Sequence, residues 1–233
     1  MTRTSRIWEL DALRGMMILI VVFIHLCFDL DYFLGIDVVK NPVIQYCMDH
    51  FGTTFVMLSG LSATIGRRSF RRGLQVFGCG MAITVVTLGM YLLGMADQAI
   101  IIRFGVLHLL GICMMVWPLF RRLPFRVLGV LGVLIVCLGG YLSLIRVESH
   151  WLFPLGLLYA GFSSGDYFPI FPYLGWFLLG SCIGSRIYKE KRSLLPKFPA
   201  DNFVIKFFRF CGKHSLWIYL IHQPVLYLIV SLL

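Results

Sequence analysis

Residues 8–30, WELDALRGMMILIVVFIHLCFDL, are apolar and long enough to cross a bilayer, yet they carry Asp11, Arg14, His25 and Asp29. A segment that crosses lipid must satisfy its backbone internally, which makes this one a helix. Ionisable groups inside a span are costly and rare, and they point to function by default. At about 100° per residue, positions 11, 14, 18, 22, 25 and 29 fall on one helical face. Arg14 and His25 nearly eclipse, about 16 Å apart along the axis. The rest of the chain has to bury this stripe.

The 233 residues are 59% hydrophobic with a mean hydropathy of +0.85, which excludes a soluble domain. The expectation is an all-α polytopic membrane bundle forming a single domain over 1–233. The net charge of +10 reads first as loop asymmetry, and no basic–aromatic motif supports nucleic-acid binding. Seven cysteines are scattered at 27, 47, 79, 113, 137, 182 and 211 without a zinc spacing, so no metal is expected. Arg3 and Arg6 precede an apolar run as in a signal peptide, but Asp11 and Arg14 interrupt it, which favours a retained first span.

Hydrophobic runs predict seven transmembrane helices, near 8–30, 43–66, 73–95, 99–119, 125–146, 169–188 and 208–232. Arg3 and Arg6, the cluster Arg67, Arg68, Arg71 and Arg72, and Arg121, Arg122 and Arg126 fall on one side. So does the basic link 186–207, with Lys197, Pro196 and Pro199. The other side offers only Lys40, Arg103 and Arg146, so the N-terminus is expected in the cytoplasm and the C-terminus outside. This places the chain in the cytoplasmic membrane. The outer segment 147–168 has an apolar middle too short to cross and is expected to hold a half-helix.

His25 and Asp29, four residues apart, form a pair in which a carboxylate can orient an imidazole as a general base; the alternative is a polar packing pair. Asp11 and Arg14 form an i, i+3 pair at the cytoplasmic end, read as a donor channel or a snorkelling anchor. Asp49 and His50 enter the second span from outside, where Asp49 could line an outer site. Arg103 and His108 enter the fourth. His108 is read equally as a structural histidine and as a substrate contact, and Asp166 as a helix cap or an acceptor contact. Lys213, His214 and Ser215 at a helix start suit an anionic phosphate, and His222-Gln223-Pro224 lies mid-membrane.

Four segments, LDALRGMMILIVVFIH, IRFGVLHLLGI, DYFPIFPYLGWFLLGSCIG and GKHSLWIYLIHQPVL, resemble in order the bacterial branch of the heparan-alpha-glucosaminide N-acetyltransferase catalytic-domain family. Arg14 and His25 also reproduce the Arg-x10-His pattern of related membrane O-acyltransferases. The resemblance implies a transmembrane acyltransferase that passes acetyl from cytosolic acetyl-CoA to an extracytoplasmic acceptor, often a sugar amine or hydroxyl of a glycan. The lysosomal members are larger and carry a catalytic histidine between the first two spans. Residues 31–45 contain none here, so His25 and His50, which flank them, both stand as candidates. The expected donor side is Arg14, Asp11, His108, Lys213, His214, Ser215, His222 and Gln223, and the acceptor side Asp49, Arg103 and Asp166. A homo-oligomer is left open. The rival reading is a small or proton-coupled transporter that uses the same buried His/Asp stripe.

Overall fold

The computed structural model describes residues 7–196, 198 and 202–232. Arg3, Arg6, Lys197 and Pro199, which entered the charge reading, lie outside the described residues. The described residues form eight α-helices: α1 (Trp8–Leu34), α2 (Pro42–Ala63), α3 (Ser69–Leu92), α4 (Val106–Phe120), α5 (Phe125–Leu142), α6 (Ile170–Ile187), α7 (Phe203–Lys213) and α8 (Ser215–Val230). No strand occurs among them; two isolated bridges join Phe104 to Tyr167 and Arg146 to Leu158. α1, α3, α5 and α6 are long and apolar enough to span a membrane, while α4 and α8 are shorter apolar helices.

Two compact units make up the chain, Met1–Phe55 with Tyr188–Leu233, and Val56–Ile187. In the first, α1 packs against both α7 and α8. α1 runs past the predicted residue 30 because nothing breaks it before Gly35, which takes a left-handed conformation (φ 65) and closes the helix onto the Asp31 and Leu30 carbonyls. At its other end Glu9 accepts hydrogen bonds from Ser193 Oγ at 2.9 Å and the Leu194 N–H at 2.7 Å, and Trp8 stacks on Phe198 at 5.5 Å. Burial and then the Glu9 carboxylate push the Tyr188 hydroxyl up to about 12. The basic link is thus stitched to the start of α1.

The single helix expected over 208–232 is two helices. Asn202 caps α7 by accepting the Val204 N–H at 2.9 Å, and His214 leaves helical geometry (φ −106, ψ 15) before α8 begins. α7 crosses α1 with backbones in contact. A Cβ on Gly15 would collide with the Phe208 carbonyl, and one on Gly212 with the Asp11 carbonyl. Only glycine at both positions permits this approach.

In the second unit α3 packs on α4, α5 on α6, and α4 on α6. Glycines sit in these seams, Gly73 against Gly111 and Gly132 against Gly175, and the α2 residue Gly60 meets Phe177 of α6. Ser181 Oγ, fully buried, bonds the Gly60 and Phe177 carbonyls at 3.0 and 2.9 Å. The half-helix expected within 147–168 is not formed. The segment holds one 3₁₀ turn, Phe153–Leu155, ended by Gly156 at φ 98, and otherwise an irregular loop. Pro154, Gly156 and Gly161 break the helical path that the apolar count suggested.

Candidate active site

Of the expected residues, the first unit holds those of α1, α2, α7 and α8. Along α1, His25 and Asp29 face α8. Asp29 is 1% exposed, and both its oxygens accept from Gln223 Nε2, at 3.0 and 3.1 Å. The expected Asp29–His25 pairing is therefore replaced: among the described residues no hydrogen bond joins them, because the side-chain amide of α8 supplies the donor. His25 instead meets the ring of His222 edge-on, with centroids 4.8 Å apart. His222 Nδ1 lies 2.5 Å from the Tyr219 carbonyl. Two imidazoles, a carboxylate and an amide thus meet at one junction of α1 and α8. A buried carboxylate without that amide would carry the full cost of its desolvation.

One end of α1 away, Arg14 pairs with Asp11 at 3.4 Å, both partly buried. The Gly15–Gly212 contact brings this pair next to the joint between α7 and α8. Lys213, His214 and Ser215 occupy that joint, where Lys213 and His214 are exposed and His214 Nδ1 lies 2.9 Å from the Phe210 carbonyl. Two groups about two hundred residues apart in sequence, the Arg14–Asp11 ion pair and one helix start with Lys213 and His214, therefore share a neighbourhood that suits a phosphate-bearing ligand. By helical rise this neighbourhood and the His25 junction are about 16 Å apart.

Asp49 and His50 are exposed on α2. His50 Nδ1 lies 2.9 Å from the Tyr46 carbonyl one turn back, and its ring stacks on Tyr46 at 4.2 Å. Neither residue joins the α1–α8 junction.

Arg103, His108 and Asp166 belong to the second unit, where they act on one another's surroundings. His108 is 2% exposed, and its Nδ1 accepts the Gly105 N–H at 3.2 Å. Its proton must then sit on Nε2, which donates to Thr84 Oγ1 at 3.2 Å, and Thr84 in turn donates to the Ile102 carbonyl at 2.6 Å. Both ring nitrogens are satisfied, the arrangement of a structural histidine. Asp166 accepts the Val106 N–H at 2.9 Å, so it caps α4 and not the sixth span that it precedes in sequence. A cap of this kind contributes about 1 kcal/mol. Arg103 does not project freely: its Nε donates to the Ser163 carbonyl at 3.1 Å, and its backbone N–H to Ser164 Oγ at 3.1 Å. Tyr167 donates to the Phe153 carbonyl at 2.6 Å, and burial with Tyr173 nearby raises its hydroxyl, which keeps it a donor.

Sequence reasoning missed Thr84 altogether and did not pair Gln223 with Asp29. An intramembrane amide beside a histidine was a signal that a charged partner lay opposite; Thr84 gave none. Among the described residues no group of three or more His, Cys, Asp or Glu could hold a metal ion. A family model described as Heparan-alpha-glucosaminide N-acetyltransferase, catalytic, matches residues 6–224. No curated protein and no solved structure matches the chain.

Proposed function

We propose that this chain, which belongs to the heparan-alpha-glucosaminide N-acetyltransferase catalytic family, moves an acetyl group from cytosolic acetyl-CoA to a sugar amine or hydroxyl on the far side of the membrane. The carrying observation is the α1 helix itself: the Arg14–Asp11 ion pair at one end, and a buried carboxylate–amide–imidazole junction about 16 Å further along. A phosphopantetheine arm has a comparable reach. Arg14, with Asp11 beside it, and Lys213, His214 and Ser215 would hold the CoA phosphates. His25 would act as the base that takes the acceptor's proton, with His50 second. Arg14 at the crossing and the exposed Lys213 and His214 beside it supply positive charge and N–H donors of the kind that the phosphates of the co-substrate need.

Thermal titration of the purified protein tests this. Acetyl-CoA at roughly a hundred times its Kd should stabilise by about 2.7 kcal/mol. Arg14→Ala should raise the concentration required about tenfold, the weight of one charge-assisted hydrogen bond. No stabilisation by acetyl-CoA, CoA or any other acyl-CoA would sink the reading.

The whole chain, 1–233, works in this reading as one multi-pass acyltransferase domain of the cytoplasmic membrane. α1 to α6 and α8 cross, and α7, with Phe203, Phe207 and Phe210 exposed beside Lys206 and Lys213, lies along the cytoplasmic surface. The N-terminus is then inside and the C-terminus outside. A reporter fused after residue 233 should be active only if it reads an extracytoplasmic location; cytoplasmic activity would overturn the crossing count.

A further inference from the structure

The α8 turn around residues 219–224 holds polar atoms that the packing does not use. Nδ1 of His222 lies against the Tyr219 carbonyl, which can only accept, so Nδ1 carries the proton and Nε2 of the neutral ring bears a lone pair. His222 is 9% exposed, and its Nε2 has no hydrogen-bond partner among the described residues. Gln223 gives its NH₂ to both oxygens of Asp29, and against an ionised carboxylate, which only accepts, the amide cannot be turned round. Its Oε1 is buried and likewise without a partner among the described residues. Pro224 has no N–H to offer the Leu220 carbonyl one turn back.

Two buried hydrogen-bond acceptors without partners among the described residues therefore lie on one turn. Buried polar atoms are normally satisfied, and an exception calls for an explanation. His108 shows how a purely structural histidine is treated in this chain, with both ring nitrogens bonded. His222 differs in that one nitrogen is held in a fixed tautomer and the other is left open.

We infer that this turn is a subsite for a ligand's N–H or O–H donors, with His222 Nε2 and Gln223 Oε1 accepting from them. The choice of ligand rests on the acetyl-transfer reading. A phosphate or an acetyl carbonyl, which only accept, does not suit the turn. Two sources offer the required donors, the amine or hydroxyl of the acceptor and the amide N–H groups of the pantetheine arm. The His25 ring, 4.8 Å from that of His222, favours the acceptor, because a group held here lies beside the base that is to deprotonate it.

The test uses the full chain in lipid nanodiscs, with glucosamine and pantetheine as binding probes and acetyl-CoA followed by thermal shift. His222→Asn keeps a side-chain N–H for the Tyr219 carbonyl but removes Nε2. His222→Gln puts an acceptor back near it. Glucosamine affinity should fall at least tenfold in the Asn variant and recover in the Gln variant, with the acetyl-CoA shift unchanged. If pantetheine and acetyl-CoA affinity fall instead and glucosamine is unaffected, the subsite stands with the pantetheine arm as its source. Unchanged affinity for both probes, or no binding of either to the wild type, overturns it. If the Asn variant does not fold, the wild type decides: glucosamine methylated at every oxygen and quaternised at nitrogen, which has no N–H or O–H, must bind at least tenfold more weakly than glucosamine, and equal binding overturns the inference. Loss of glucosamine binding in a protein that acetyl-CoA never stabilises would leave the subsite in place and remove the acetyl-transfer reading alone.

Discussion

His25→Ala should lower acetyl transfer by roughly 10²–10⁴-fold, the usual weight of a positioned general base, while leaving the acetyl-CoA thermal shift intact. The structure separates these two readouts. Removal of the imidazole leaves the Asp29–Gln223 bonds, which continue to hold α8 on α1, and it touches nothing at the Arg14–Asp11 pair. A deletion that unfolded the protein would erase both signals together. Turnover is to be measured with saturating acetyl-CoA, and the donor's shift in the same preparation. If His25→Ala turns over like the wild type and His50→Ala is inactive, the base is His50, and the α1 stripe serves the donor only.

A second large effect is expected at the crossing of α1 and α7. Gly15→Val should cost about 3 kcal/mol, the upper end of ordinary overpacking, because the atoms in the way are the Phe208 carbonyl and the Gly212 backbone nitrogen and not a side chain that can swing aside. The loss should appear as a lower melting temperature of the purified protein and as a weaker acetyl-CoA shift, since the same crossing carries Arg14 next to Lys213 and His214. A variant that melts like the wild type would mean that α7 does not lie on α1 in this way. The buried face of a helix tolerates a lost methyl group far better than an added one where two backbones touch.

Much of α1 was legible from its letters alone. Its apolar content marks it as a span, and the shared face of Arg14, His25 and Asp29 follows from the 3.6-residue period, although the helix ends four residues later than expected. The structure adds what periodicity cannot supply, namely which helix covers the face. Asp29 and Gln223 are 194 positions apart, and nothing local in either stretch ties one to the other. The carboxylate was assigned to the histidine one turn away, the nearest available partner, but the amide on α8 offers two bonds that the imidazole does not make. The error at 208–232 has a different cause. The apolar run of α8 follows closely on Phe208, Phe210 and Cys211 of α7, and a window that sums hydrophobicity is blind to one residue, His214, whose backbone leaves the helix. His108 was the more readable case: a side-chain acceptor three residues into a helix turning back onto the N–H at its start is ordinary capping logic, with an imidazole in place of a carboxylate.

α1 is held at two levels, to α7 through the Gly15–Gly212 contact and, further along, to α8 through the Asp29–Gln223 bonds. Two clasps on one rod fix its phase as well as its position. Sliding α8 by a single residue would advance Gln223 by about 1.5 Å and swing it through about 100°, away from the carboxylate and taking His222 from His25. The geometry of the junction is therefore set by residue counts, from 15 to 29 along α1 and from 212 to 223 through the His214 joint between α7 and α8. Connections such as 143–169 lie outside both intervals. Length can vary there without changing the count, whereas one inserted residue between the clasps would put the whole junction out of step.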